Sequence, residues 1–194
     1  MESISIQEAY DKKAKTYKML LYFGMISIIM IFAGLTSAFV VSKQRPDWFK
    51  DLVIPDTFTY STIVLIISSI TFFLAKKAIK ANNTSLTTVY LLITLGLGLT
   101  FVYLQLKGFD LLFNQGLVPL GSSSKVTVSF LYAFVFVHVA HLFGGMISLI
   151  YVIYNHYKQK YNSSQCLGIE LSGMYWHFMD FIWVYLFLFF YFFK

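Results

Sequence analysis

The chain has 194 residues, of which 58% are hydrophobic, 20% aromatic and only 12% charged, with a net charge of +6. A soluble domain carries about 25% charged residues, so a water-soluble globule is excluded: too much apolar surface would face water. The charge comes from lysines scattered over short polar segments with no basic run, which points to membrane topology and anionic headgroups and away from nucleic acid.

Crossing a hydrocarbon core about 30 Å thick takes roughly 20 helical residues. The first eighteen residues are polar, with Ile4, Ile6, Tyr10 and Tyr17 among charges, and read equally as a short interfacial helix or a solvated tail. The first apolar run, 19–41, is too long for a signal-peptide core of roughly 7–15 residues, and no small-residue cleavage site follows it, so no cleaved leader is expected. Four further apolar runs occupy 58–75, 86–106, 128–151 and 171–193. All are apolar on every side. A transmembrane β-barrel would alternate apolar and polar residues instead. The expected fold is therefore all-α, a five-helix integral membrane bundle forming a single domain over 1–194.

The connections carry the breakers. Pro46, Pro55 and Pro119 fall in the first and third loops with Asp47, Asp51, Asp56 and the run Gly121 to Ser124, and Asn82-Asn83 turns the second loop. Counting lysine and arginine orients the bundle. Lys12, Lys13, Lys15, Lys18, Lys76, Lys77, Lys80, Lys158 and Lys160 share one side; Lys43, Arg45, Lys50, Lys107, Lys125 and Lys194 share the other. Nine against six puts the N-terminus inside and the C-terminus outside. Cys166 is the single cysteine, so no intrachain disulfide is possible and the redox compartment is not indicated.

Ionisable groups within the membrane cost roughly 2.5–3.5 kcal/mol on insertion scales and face the bundle interior with a partner. His138 and His141 lie three apart on the fourth span; Glu170, His177 and Asp180 form one stripe on the fifth. The favoured reading is a structural polar seam in which these stripes face and satisfy each other. A metal site is the sharper reading, since histidine is the commonest metal ligand. Against it, the Glu-x-x-His motifs of carboxylate-bridged di-iron bundles are missing. A proton relay is the third reading, overlapping the first. Small residues at packing spacing, Ala33, Gly34, Ser37 and Ala38 on the first span and Gly144, Gly145 and Ser148 on the fourth, allow close backbone approach. Trp176 and Trp183 read as packing or interface anchors. There is no Cys-x-x-Cys-His haem attachment, no phosphate-binding glycine loop and no Gly-x-Ser-x-Gly turn.

The segment Tyr175-Trp176-His177-Phe178-Met179-Asp180, with Glu170 before it and Trp183 after it, resembles the last helix of subunit III of the haem-copper respiratory oxidases. His138-x2-His141 followed by Gly144-Gly145 is similar to that family's penultimate helix, and Phe32 to Phe39 to the first helix of its five-helix core. The resemblance implies a short five-helix accessory subunit of a cytochrome c oxidase. It would pack on the catalytic haem-copper subunit I and support assembly, stability and proton uptake of a complex reducing oxygen to water. Haem and copper are then expected in the partner subunits and none in this chain, with bound phospholipid and the bacterial cytoplasmic membrane as the setting. Larger members have two further N-terminal helices enclosing a lipid-filled cleft. Two positions depart from the family: Ser27-Ile28 stands where many members have serine beside a buried glutamate, and Cys166 stands where a histidine often precedes the glutamate by four. The competing readings are the same subunit in a quinol oxidase or nitric-oxide-reductase complex, and an independent ion-conducting protein.

Overall fold

The computed structural model describes residues 6–48, 55–121, 124–162 and 165–193. Ile4, Lys50, Asp51, Ser122, Ser123 and Lys194, which enter the sequence reading, lie outside them. Five helices follow in order: α1 (Ile6–Ser42), α2 (Asp56–Lys80), α3 (Thr84–Asn114), α4 (Val126–Tyr157) and α5 (Leu167–Phe193). Each is long and apolar enough to cross a membrane. The chain is an integral membrane protein, and no strand occurs among the described residues.

All five helices overrun the apolar windows that announce them, because hydropathy marks only the lipid-facing part of a helix. At 37 residues α1 is about 55 Å long at 1.5 Å per residue. Its polar start is thus helix from Ile6 onward, one of the two alternatives open for the first eighteen residues. The ends are set by local chemistry. Asn82 takes a left-handed φ of 56° and closes α2, and the Asn83 side chain then caps α3 by accepting from Leu86 N at 3.2 Å. Gly116, at φ 76°, and Gln159, at φ 53°, follow the ends of α3 and α4 in the same way.

Helices α2 and α3 form a tight hairpin. Helix α5 packs on α1, α2 and α4, while α1 meets α4 and α5, and α3 meets α2 and α4. The starts of α1, α3 and α5 therefore share a side with the ends of α2 and α4. At the opposite end an aromatic cluster closes the bundle: Phe39 lies edge-on to Trp48, Phe130, Phe134, Phe189 and Phe190. Trp48 is buried against Phe39, so residues 43–48 fold back over the end of α1.

Candidate functional site

The intramembrane polar residues separate into several contacts, and the neighbours they reach are mostly on α2. Helix α2 carries hydroxyls seven residues apart, Ser61 and Ser68 on one line, Thr62 and Ser69 on the next. Helix α5 carries Trp176 and Trp183 at the same interval. Two of these hydroxyls, six residues apart and one from each line, receive the two indoles. Trp176 Nε1 donates to Ser68 Oγ at 3.0 Å and Trp183 Nε1 to Thr62 Oγ1 at 2.9 Å. His177 Nδ1 meets Ser69 Oγ at 2.6 Å. The same face reaches α3, where Gln105 Nε2 donates to Ser61 Oγ at 2.7 Å and the Thr71 and Thr94 hydroxyls lie 2.8 Å apart. A hydrogen bond of this kind holds helices together because lipid offers no substitute partner.

The histidines of α4 sit apart from this ladder. His138 is fully buried, and its Nε2 meets the Met179 carbonyl of α5 at 3.1 Å. Rings surround it: Phe101 at 5.8 Å, Trp183 at 4.9 Å and Phe32 at 6.4 Å. His141, half-buried, hydrogen-bonds through Nδ1 to the Val137 carbonyl of its own helix at 2.7 Å. So α4 reaches α5 through His138 to a backbone carbonyl and through Tyr175, whose hydroxyl donates to the His141 carbonyl at 2.9 Å. No contact joins His138 or His141 to the side chains of His177, Asp180 or Glu170 in a hydrogen bond among the described residues. Asp180 is buried on the α2 side with Ser69 beside it, and neither carboxyl oxygen has a partner in hydrogen-bond geometry.

Glu170 belongs to a different place, the membrane edge. Its carboxylate lies between Lys18 of α1 at 2.9 Å and Lys80 of α2 at 3.4 Å. Nearby, the Tyr10 hydroxyl accepts from Leu167 N at 3.1 Å, satisfying one of the unpaired N–H groups at the start of α5. Cys166 is buried there, and burial pushes its thiol pKa up, which leaves it unreactive. On the neighbouring edge His156 Nε2 ties α4 to the Thr84 carbonyl and Thr88 hydroxyl of α3, both at 3.1 Å.

The glycines differ from one another. A Cβ on Gly145 would stand 3.2 Å from the Tyr175 ring, and one on Gly144 would stand 3.7 Å from its hydroxyl, so α4 and α5 approach closely there. Gly34 has nothing within 4 Å, and Ala33, Ser37 and Ala38 are exposed beside it; the small residues of α1 seat no helix of this chain. The closer approaches are elsewhere. A Cβ on Gly98 of α3 would meet the Trp176 ring at 2.9 Å, and one on Gly108 would meet Phe58 at 2.7 Å.

Ser61, Thr62, Ser68, Ser69, Gln105 and His156 are not singled out by residue type, since serine and threonine are common in membrane helices. The signal available was the recurrence of hydroxyls on α2, at 61, 62, 68 and 69, over the two turns that also separate the tryptophans of α5. For a metal, three or more donors must converge; among the described residues no such group of His, Cys, Asp and Glu forms. Ile28, at the position of the family's glutamate, is buried, and the Ser27 hydroxyl bonds to the Phe23 carbonyl of its own helix at 3.1 Å.

A family model described as cytochrome c oxidase subunit III matches residues 6–194. The cytochrome c oxidase subunit 3 of Alkalihalophilus pseudofirmus is 32% identical over 140 residues, 71% of this chain and just under two thirds (66%) of that protein. The cytochrome bo(3) ubiquinol oxidase subunit 3 of Buchnera aphidicola subsp. Schizaphis graminum is 26% identical over 176 residues, 88% of this chain and 90% of that protein. The cytochrome c oxidase subunit 3 of Thermostichus vulcanus is 26% identical over 192 residues, 95% and 90% of the two chains. With the match running from the first described turn of α1 to the end of α5, the chain belongs to the cytochrome c oxidase subunit III family.

Proposed function

We infer that this chain is the accessory subunit III of a haem-copper terminal oxidase, a component that supports electron transfer to oxygen and proton translocation without carrying a redox centre itself. The observation that carries this reading is the family match over residues 6–194. It is supported by the buried polar contacts that join α5 to α2 through Trp176, Trp183 and His177 and to α4 through His138. The similar proteins are named as subunits of cytochrome c and of ubiquinol oxidases alike, and on this reading the electron donor is set by the neighbouring subunits.

On this reading the chain packs on the catalytic subunit, which holds the haem and copper, and supports its assembly, stability and proton uptake. The complex lies in a bacterial cytoplasmic membrane, in contact with phospholipid. The lysine bias places the N-terminus on the cytoplasmic side and the C-terminus outside. His138, His177 and Glu170 then serve as positioning groups that fix α5 against α4, α2 and α1, with Asp180 buried beside Ser69. An independent ion conductor would show interrupted helices or repeat symmetry, whereas the helices described here run unbroken.

Affinity purification of the tagged chain in mild detergent tests the assignment. Haem absorbance and a large catalytic subunit are expected to copurify in stoichiometric amount; a chain that runs alone without haem would refute it. Asp180→Asn separates support from chemistry. The Asp180 carboxyl lies buried beside Ser69 with no hydrogen bond of its own to lose, and an amide of the same shape fits there, so the variant should loosen the complex at most modestly and leave residual turnover in proportion to assembly. A fully assembled complex with no oxygen turnover would overturn the supporting role.

A further inference from the structure

The end of α2 carries charge that the bundle does not use. Phe73, Lys76, Lys77 and Lys80 recur at intervals of three, one and three, so they share one face of the helix. The opposite face, with Phe72, Ala75 and Ile79, is buried in the core, and the lysine face therefore looks out of the bundle. There the four side chains line an open cleft of about 300 Å³. Among the described residues Glu170 is the carboxylate paired here, and it is already shared by Lys18 and Lys80. Lys76 and Lys77 form no ion pair with a carboxylate among the described residues.

An anion would complete this arrangement, and the rest of the face says which kind. Following the same stripe back into the membrane, Phe73 is 60% exposed, Ile70 55% and Ile66 45%. These apolar side chains lead directly up to the lysines, as a track for an acyl chain would lead to its headgroup. A soluble phosphate would need the lysines and gain nothing from the track. We propose that Lys76, Lys77 and Lys80 bind the headgroup of an anionic phospholipid whose chain lies along Phe73, Ile70 and Ile66. The site is formed by one helix of this chain. The inference rests on the membrane-spanning reading and is independent of the oxidase assignment. Lipid held here would neutralise the lysines that flank the Lys18–Glu170–Lys80 contact and so brace the junction of α1, α2 and α5.

The test is native mass spectrometry of the detergent-purified complex, stripped of lipid and supplied with phosphatidylglycerol or phosphatidylcholine. Wild type should retain phosphatidylglycerol in preference to phosphatidylcholine. With each membrane-surface lysine contributing on the scale known for anionic lipids, Lys76→Gln/Lys77→Gln should weaken that retention roughly tenfold or more. Lys12→Gln/Lys13→Gln removes the same charge from α1 and should leave it unchanged. Should the first double variant fail to assemble, Lys77→Gln alone, at an exposed position, should still weaken retention several-fold. The proposal is overturned if the lysine variants bind phosphatidylglycerol as wild type does, or if the Lys12/Lys13 pair loses it equally. It is also overturned if millimolar inorganic phosphate displaces the lipid, which would mark a simple anion site. A preparation without haem would overturn the oxidase assignment alone, since lipid retention is read on the same protein.

Discussion

At the scale of single residues, glycine decides where helices touch, and the structure separates glycines that matter from those that do not. Trp176 is 1% exposed and wedged between α2, α3 and α4, with its indole against Gly98 and its Nε1 held by Ser68. It has nowhere to move. A methyl group at Gly98 would lie 2.9 Å from that ring, so Gly98→Ala should destabilise the bundle by about 1–3 kcal/mol, the usual cost of overpacking a filled core. Gly34→Ala, with nothing within 4 Å, should change the stability of the isolated chain by no more than about 0.5 kcal/mol. Unfolding midpoints in a denaturing-detergent titration distinguish the two, and equal effects would refute this packing. The small-residue spacing in the sequence singles out Gly34 and passes over Gly98. Small-residue spacing marks places where a helix permits close approach, and only the arrangement of neighbours shows whether another helix takes the opportunity.

At the scale of elements, the five helices were legible because twenty apolar residues in a row admit few other structures. The partners of their polar residues were not. His138 and His141 are correctly read as neighbours on α4, yet three residues apart still means a rotation of some 60° around a helix of 3.6 residues per turn. His138 turns into the core, and His141 remains at its rim, bonded to its own helix. The stripe on α5 likewise faces α2 rather than α4, because α2 offers hydroxyls within reach of it, Ser68 for Trp176, Thr62 for Trp183 and Ser69 for His177. This ladder makes a quantitative prediction. Ser68→Ala and Thr62→Val each leave an indole N–H buried without an acceptor, and each should cost about 0.6–1.7 kcal/mol. The two rungs lie two helical turns apart with no shared partner, so the double variant should show the sum within about 0.5 kcal/mol. Thermal unfolding of the purified chain and its variants measures this; a neutral Ser68→Ala would mean that water, not serine, satisfies Trp176.

At the scale of the whole molecule, order around the bundle is hidden from sequence because lipid is as apolar as the core, so outward and inward faces look alike along each helix. What the chain does display is its ends, where charges return, and these hold the outer assembly together. Glu170 joins three helices at once: its own α5, α1 through Lys18 and α2 through Lys80. The pair is partly exposed, with side-chain exposures of 37% for Lys18, 54% for Lys80 and 18% for Glu170, so its contribution is limited to the range of about 0–1 kcal/mol typical of surface pairs. Its larger effect is on local motion. Helix α1 meets only α4 and α5 within the bundle, and its polar first turns are anchored to α5 by Lys18–Glu170 and by Tyr10 at the Leu167 amide. Glu170→Gln should therefore speed hydrogen exchange across residues 8–18 of α1 and at the end of α2, while leaving exchange along the Ser68–Trp176 and Thr62–Trp183 rungs unchanged. Adding Tyr10→Phe should extend the faster exchange to the first turn of α5. Uniformly faster exchange in all five helices would instead show that the membrane-edge contacts and the buried ladder unfold as one cooperative unit.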